Sequence, residues 1–277
     1  LARTMQVRYV YEKKPGLGYA RIAGAKNATF NLILFCDDDN LLSNNYLNIA
    51  WSIARKHPKI GMFSGYGIPL FEENTIIPNW FEEAALLHYA IHKPTPNSSI
   101  ITAKDNIFLY GAGLIIRKDI FQEIQDRKYE LFLTGRKGDS IISGEDNELC
   151  ALAMLLEYNL LFDERLTFKH KISKDKLSLD WIKGKMSDVY SIFILSIYQD
   201  VLKNKKKGVL GYFYKIFQES FIHVLVGIKK HIKSEWTTMN RIWYKHKINL
   251  LLFKLNNYSL YKNTFIRINN SFPRKKM

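Results

Sequence analysis

The sequence predicts an α/β fold followed by a basic helical extension. Three observations carry this. Short apolar runs alternate with amphipathic stretches through the first 188 residues. One run, Leu32-Ile33-Leu34-Phe35-Cys36, breaks at once into Asp37-Asp38-Asp39. The positive charge gathers at the far end of the chain. A run so short and apolar suits a buried parallel strand covered on both faces. Ligands of open α/β sheets bind outside the carboxyl ends of the strands, where these acids fall. Adjacent carboxylates at ~5 Å and an effective dielectric of ~20 repel by roughly 3 kcal/mol per pair. That repulsion is relieved either by splaying into water as an acidic turn or by a divalent cation such as Mg²⁺ or Mn²⁺.

In chain order, Val7 to Tyr11 reads as a strand, and Glu12 to Gly18 as a loop marked by Pro15 and two glycines. Gly16 and Gly18 lack the third glycine of a dinucleotide fingerprint. Gly18 to Ala28 has helical character, and its Arg21 is either an exposed helix arginine or a phosphate or base contact. Ser43 to His57 predicts a helix with an apolar stripe at Leu47, Ala50, Trp51 and Ala54, ended by Pro58. Ile60 to Tyr66 predicts a strand. Prolines punctuate residues 69–100 around a helix at Trp80 to Ile91, with Trp80 and Phe81 read as core in preference to a stacking wall for a sugar or a base.

Phe108 to Arg117 predicts an apolar strand interrupted by Gly111-Ala112-Gly113, small residues that mark a bulge or a close approach of backbone to ligand. Arg117-Lys118-Asp119 opens a short helix to Gln125. The glycine- and charge-rich loop Thr134 to Ser140 then leads to Gly144-Glu145-Asp146-Asn147-Glu148, the start of a helix with apolar positions Leu149, Leu152, Ala153 and Leu156. Its acids either complement the helix dipole or aim a general base out of a cleft. Leu160 to Lys169 predicts a last strand with His170 at its end.

The apolar content of 47% and aromatic content of 14% exclude a disordered chain. Of the 41 Lys and Arg, 17 lie in residues 203–277 against only Glu219 and Glu235, so the whole net charge of +15 resides there. Such a segment meets phosphate, on lipid headgroups or nucleic acid. Val189–Leu202, Val209–Ile228 and Ile248–Leu255 are aromatic-rich stretches between the lysine runs 203–207 and 229–233. They fit amphipathic helices on an anionic membrane or a helical subdomain packed back on the first domain. Cys36 and Cys150, both placed in apolar surroundings, are what a reducing cytosol permits. No secretory leader or membrane-spanning run is predicted.

Taken in order, these segments resemble the family 2 glycosyltransferases, nucleotide-sugar enzymes of the GT-A fold. The resemblance rests on Gly16-x-x-x-Ala20-Arg21-x-x-Gly24, Phe35-Cys36-Asp37-Asp38-Asp39, Gly111-Ala112-Gly113 to Arg117, Gly144-Glu145-Asp146-x-Glu148-Leu149 and His170 to Trp181. It implies a GT-A-like mixed sheet flanked by helices over residues 1–188, with a basic amphipathic helical extension over 189–277. The family's opening strands, with their Pro-x-Tyr-Asn turn and base-reading acid, are not found, so an N-terminally incomplete domain is expected, its activity alone left open.

The implied reaction is inverting transfer of one sugar from a nucleotide-sugar donor to a hydroxyl of a saccharide or lipid-linked acceptor. The implied setting is bacterial surface polysaccharide or glycolipid synthesis, in the cytoplasm or peripherally on the inner face of the membrane. Asp37 and Asp39 match the D-x-D motif. Asp39 would bind Mn²⁺ or Mg²⁺, Asp37 would face ribose and metal shell, and Asp38 shares either role. His170 would complete the metal site, Gly111 and Ala112 would line the donor sugar, and Arg21 would lie near the nucleotide. Asp146 is the implied catalytic base, with Glu145 as its catalytic neighbour. Ile22 stands where the family has Asn, which weakens the match at Arg21, and the absent Gln-x-x-Arg-Trp motif favours single-sugar addition. The contrasting expectation is a non-catalytic protein that binds membrane or, less expectedly, nucleic acid through its basic segment.

Overall fold

In the computed structural model, residues 7–91, 93–135, 142–232 and 237–273 are described. A mixed six-stranded sheet lies at the centre: β1 (Leu32–Leu34), β2 (Asn40–Leu42), β3 (Ile60–Phe71), β4 (Ser99–Ile101), β5 (Ile115–Arg117) and β6 (Asn159–Ile172). The order is β1-β5-β3-β6-β2, with β4 paired to β6 off that path. The long β3 and β6 run parallel, and the other pairings are antiparallel. The helices are α1 (Leu17–Asn27), α2 (Tyr46–Lys56), α3 (Phe81–His88), α4 (Lys118–Asp126), α5 (Glu145–Leu155), α6 (Leu179–Met186), α7 (Val189–Leu202), α8 (Val209–Ile232), α9 (Thr238–Asn256) and α10 (Tyr258–Ser271). The architecture is the mixed α/β, GT-A-like one that the sequence predicts.

Helix α5 is buried from Glu148 to Leu155, packed against β6 and β3 and against α7, which α10 covers in turn; Leu149, Leu152 and Ala153 share one core with Phe193, Ile197 and Ile268. On the opposite sheet face α2 sets Tyr46, Ala50 and Ile53 against Phe63, Ile115 and Phe168. A third cluster joins Phe81 of α3, Ile172 of β6, Ile182 of α6 and Met239 of α9. No described helix is long and apolar enough to cross a membrane.

Several expectations are corrected. Residues 7–11 form no strand, and Val7, Tyr9 and Tyr11 are exposed, because no neighbouring strand pairs with their backbone. The apolar run ending in acids is an edge strand, antiparallel to β5 in the register Ile33↔Ile116. Its apolar run alone could not distinguish this from an interior parallel strand. Within 108–117 only Ile115–Arg117 is strand, since the Gly-Ala-Gly step turns the chain instead of bulging it. On α2 the stripe is rotated, so Leu47 and Trp51 are 65% and 61% exposed. Cys36 is exposed while Cys150 is buried. His170 lies inside β6, which continues to Ile172, and α10 is an additional helix. Residues 136–140 of the charge-rich loop, Lys233 and Glu235 lie outside the described residues.

Candidate active site

A cleft of about 540 Å³ opens where the chain leaves β1, between the start of α5 and the tail of β6. Arg21, Asp37, Asp39, Gly111, Ala112, Glu145, Asp146 and His170 all line it. Asp38 is exposed and does not line it. Asp37 and Asp39, two residues apart, thus share a side that the residue between them does not.

Gly144, at φ +90°, turns the chain into α5 and places Asp146 in the first helical turn. Asp146 Oδ2 accepts the Gly111 N–H at 2.7 Å, and Oδ1 accepts the Asn147 N–H at 2.8 Å. A Cβ at 111 would stand 2.6 Å from Arg21 Nη2 and 3.1 Å from Asp146 Oδ2, so a larger residue would shift one of these groups. Arg21 is buried on α1, where its guanidinium donates to Glu145 Oε1 at 3.1 Å and lies over the Phe35 ring. Burial and then the Asp146 charge push the Glu145 carboxyl up, with Arg21 opposing them.

The other wall is set by strand register. β2 pairs with β6 so that Asn40 faces His170, and the Lys171 N–H donates to the Asp39 carbonyl at 2.8 Å. Asp39 Oδ2 therefore meets His170 Nε2 at 3.4 Å and Lys176 Nζ at 2.9 Å. Burial acts to raise the Asp39 carboxyl, but the Lys176 hydrogen bond and the His170 and Lys176 charges outweigh it and hold it low. Asp37 moves the other way: burial raises it, Asp39 and Asp146 add to the rise, and Arg21 and His170 offset part of it.

Among the described residues no three His, Cys, Asp or Glu side chains form a metal-holding group. A hard cation needs no such cage when substrate phosphate and water supply the remaining ligands. The residues present fit that arrangement. His170 Nδ1 lies 2.5 Å from the Tyr89 carbonyl, which leaves Nε2 as the ring nitrogen that faces Asp39. The Lys176 ammonium on Asp39 marks the same point as one that attracts positive charge.

Sequence reading passed over several residues in or beside the cleft. Lys176, which reaches Asp39 without lining the cleft, follows β6 in a charged run with no periodicity. Asp188 caps α7 and accepts from the Ser143 N–H at 2.8 Å, which ties the approach to Gly144 onto that helix. His88, Trp243 and His246 come from α3 and α9, and only packing unites them. Burial pushes the His88 imidazole down to about 4, with Lys185 and His246 assisting, so it is neutral near pH 7.

Residues 1–125 match the family model described as Glycosyl transferase family 2. Over that stretch, under half of its length, the chain is similar to the family 2 glycosyl transferases. No curated protein matches the chain. The glycosyl transferase match includes Arg21, Asp37, Asp39, Gly111 and Ala112 and ends before Glu145, Asp146 and His170. The fold brings these last three to the cleft lined by the matched residues.

Proposed function

We propose that the chain is an inverting glycosyltransferase that moves one sugar from a nucleotide-sugar donor to a hydroxyl of a saccharide or lipid-linked acceptor. The observation that carries this reading is the shared cleft of Asp146 with Asp37, Asp39 and His170. Asp146, oriented by the Gly111 N–H, takes the proton of the acceptor hydroxyl. The acceptor oxygen then bonds to the anomeric carbon as its bond to the diphosphate breaks, so the configuration inverts. Holding both substrates in one cleft converts an encounter into an internal displacement. Gly111 and Ala112 leave room for the donor sugar, and Arg21 with Glu145 fixes the backbone around it.

Asp39 and His170, with Asp37 alongside, would hold Mn²⁺ or Mg²⁺, whose chemistry there is to neutralise charge on the departing diphosphate. Peripheral contact with an anionic membrane is proposed for α8. Leu210, Tyr214, Phe217, Phe221 and Ile228 are exposed along one side of it, and Lys229 and Lys230 close its last turn.

The test is turnover with nucleotide-sugar donors in Mn²⁺. Asp146→Asn is expected to lower kcat by about 10²–10⁴-fold, the range of a lost general base, while donor binding persists. Retained turnover in that variant removes Asp146 as the base. Asp39→Asn is expected to abolish the Mn²⁺-dependent thermal shift produced by nucleoside diphosphate; an unchanged shift removes Asp39 from the metal site.

A further inference from the structure

A second concave site lies beside the cleft, between α8 and α9. Its volume is about 370 Å³, within the range of small-molecule sites. The walls are largely hydrocarbon, from Ile222 and Val226 of α8 and Trp243, Leu250 and Leu251 of α9. On one flank the helices close tightly: a Cβ at Gly227 would stand 2.6 Å from the Tyr244 hydroxyl. The charged side chains in the lining are Glu219, Lys230 and Lys247. Glu219 is neutralised by Lys254 at 2.7 Å, whereas neither Lys230 nor Lys247 has an ion-pair partner among the described residues. The groove is therefore apolar with a positive rim.

Two further observations give it a direction. Trp243 lines both this groove and the cleft that holds Asp146, so the spaces adjoin through one side chain. Beside Trp243, the buried nitrogens His88 Nε2 and His246 Nδ1 have no hydrogen-bond partner within the described residues, and both histidines line the cleft. The His88 ring stacks on Trp243 with centroids 6.0 Å apart. Buried polar atoms left unpaired invite a polar ligand group, since they gain a hydrogen bond when one arrives.

We propose that the groove is a lipid subsite. It takes the hydrocarbon chain of an acceptor in which a saccharide is linked to lipid through phosphate, with the phosphate at Lys230 and Lys247 and the hydroxyl-bearing saccharide end passing Trp243 toward His88, His246 and Asp146. The inference deepens the glycosyl-transfer reading and rests on it for the identity of the acceptor. The exposed apolar side of α8 supplies the route, because a helix lying in a membrane interface sets its neighbouring groove at the depth of lipid chains. The positive rim matches a phosphate, and the carbon walls match an alkyl or prenyl chain.

The experiment measures equilibrium binding of farnesyl phosphate to the full chain by titration calorimetry, with farnesol and inorganic phosphate as separate arms. Saturable binding of farnesyl phosphate is expected, at least tenfold weaker for farnesol and undetectable for inorganic phosphate at the same concentration. Val226→Trp, which fills the groove, should weaken farnesyl phosphate at least tenfold. Lys247→Gln, at an exposed position of α9, should leave the fold intact, weaken farnesyl phosphate severalfold and leave farnesol unchanged. Unchanged affinity in Lys247→Gln, or in a Val226→Trp protein whose circular dichroism is native, overturns the proposal. So does inorganic phosphate binding as tightly as the lipid, or single-stranded RNA displacing the probe. The readout is binding, not turnover: a chain that binds the probe but transfers no sugar keeps the groove and loses the catalytic reading. Turnover without probe binding has the opposite consequence.

Discussion

At the scale of single residues, two side chains show how burial decides chemistry. A larger residue at Gly111 would press on Arg21 and Asp146, whose side-chain ends lie where its Cβ would stand. Gly111→Ala is expected to cut transfer at least tenfold by displacing one of those groups, with a thermal midpoint near that of the parent. Steady-state kinetics beside a melting curve checks both halves. Glu148 is fully buried and accepts the Phe132 and Leu133 N–H groups at 3.0 and 2.7 Å and the Tyr198 hydroxyl. Burial pushes its carboxyl from 4.5 up to about 7, against the pull of those three donors. The folded chain thus holds this proton more tightly than the unfolded one. The contribution to stability is full below about pH 4.5, is lost as pH rises toward about 7, and is flat above. The loss is about 3 kcal/mol at one pKa unit per 1.36 kcal/mol. Urea midpoints at pH 5 and pH 8 should show that slope in the parent and not in Glu148→Gln. The sequence placed Glu148 in an acidic helix start, but its solvation depends on α7, which arrives from 40 or more residues later.

At the scale of elements, the register of β2 on β6 is what makes Asp39 a site residue. The pairing Asn40↔His170 sets the imidazole and Lys176 on one carboxylate. Removing the ammonium with Lys176→Met should raise the Asp39 carboxyl toward the ordinary range, since its hydrogen bond and charge hold the group low. A carboxylate ¹³C titration reads this, and an unmoved resonance would show that Lys176 does not govern Asp39. Tyr46 does similar work from α2, its hydroxyl donating to the Gly113 carbonyl at 2.5 Å. Tyr46→Phe leaves that carbonyl unpaired and should cost about 1–3 kcal/mol in a denaturant titration. Most helices were legible because caps and apolar spacing are local signals. The short strands β2, β4 and β5 were harder, since three residues carry too little period to separate strand from loop.

At the scale of the whole molecule, charge and exposed carbon occupy the same region. The described part of residues 203–277 presents α8 with its buried side, Tyr212 and Ile216, toward the core and its other side open. Phe217 and Phe221 are 68% and 57% exposed, so replacing both with Ser should leave the fold unchanged. The same pair should weaken retention by phosphatidylserine vesicles several-fold in a sedimentation assay, and raised salt should weaken it in the parent by screening the lysines. Equal retention of variant and parent would remove α8 as the contact. The helices α7 and α9 also reach the half that holds the cleft: α7 packs on α5 and is covered by α10, and α9 brings Trp243 and His246 to the cleft.

The sequence by itself determined the α/β class, the positions of most helices, the segregation of positive charge and the candidate residues of the cleft. Those features depend on local propensity, apolar spacing and motif order, which a linear chain displays. Only the tertiary structure decided that β1 is an antiparallel edge strand, that Asp38 faces away from its neighbours' cleft, that Lys176 sits on Asp39, and that α9 walls the site. They depend on which segments, far apart in the chain, meet on folding, as Leu32 meets Arg117 and Asp39 meets Lys176, and that choice is made by burial and register, quantities the chain acquires only on folding.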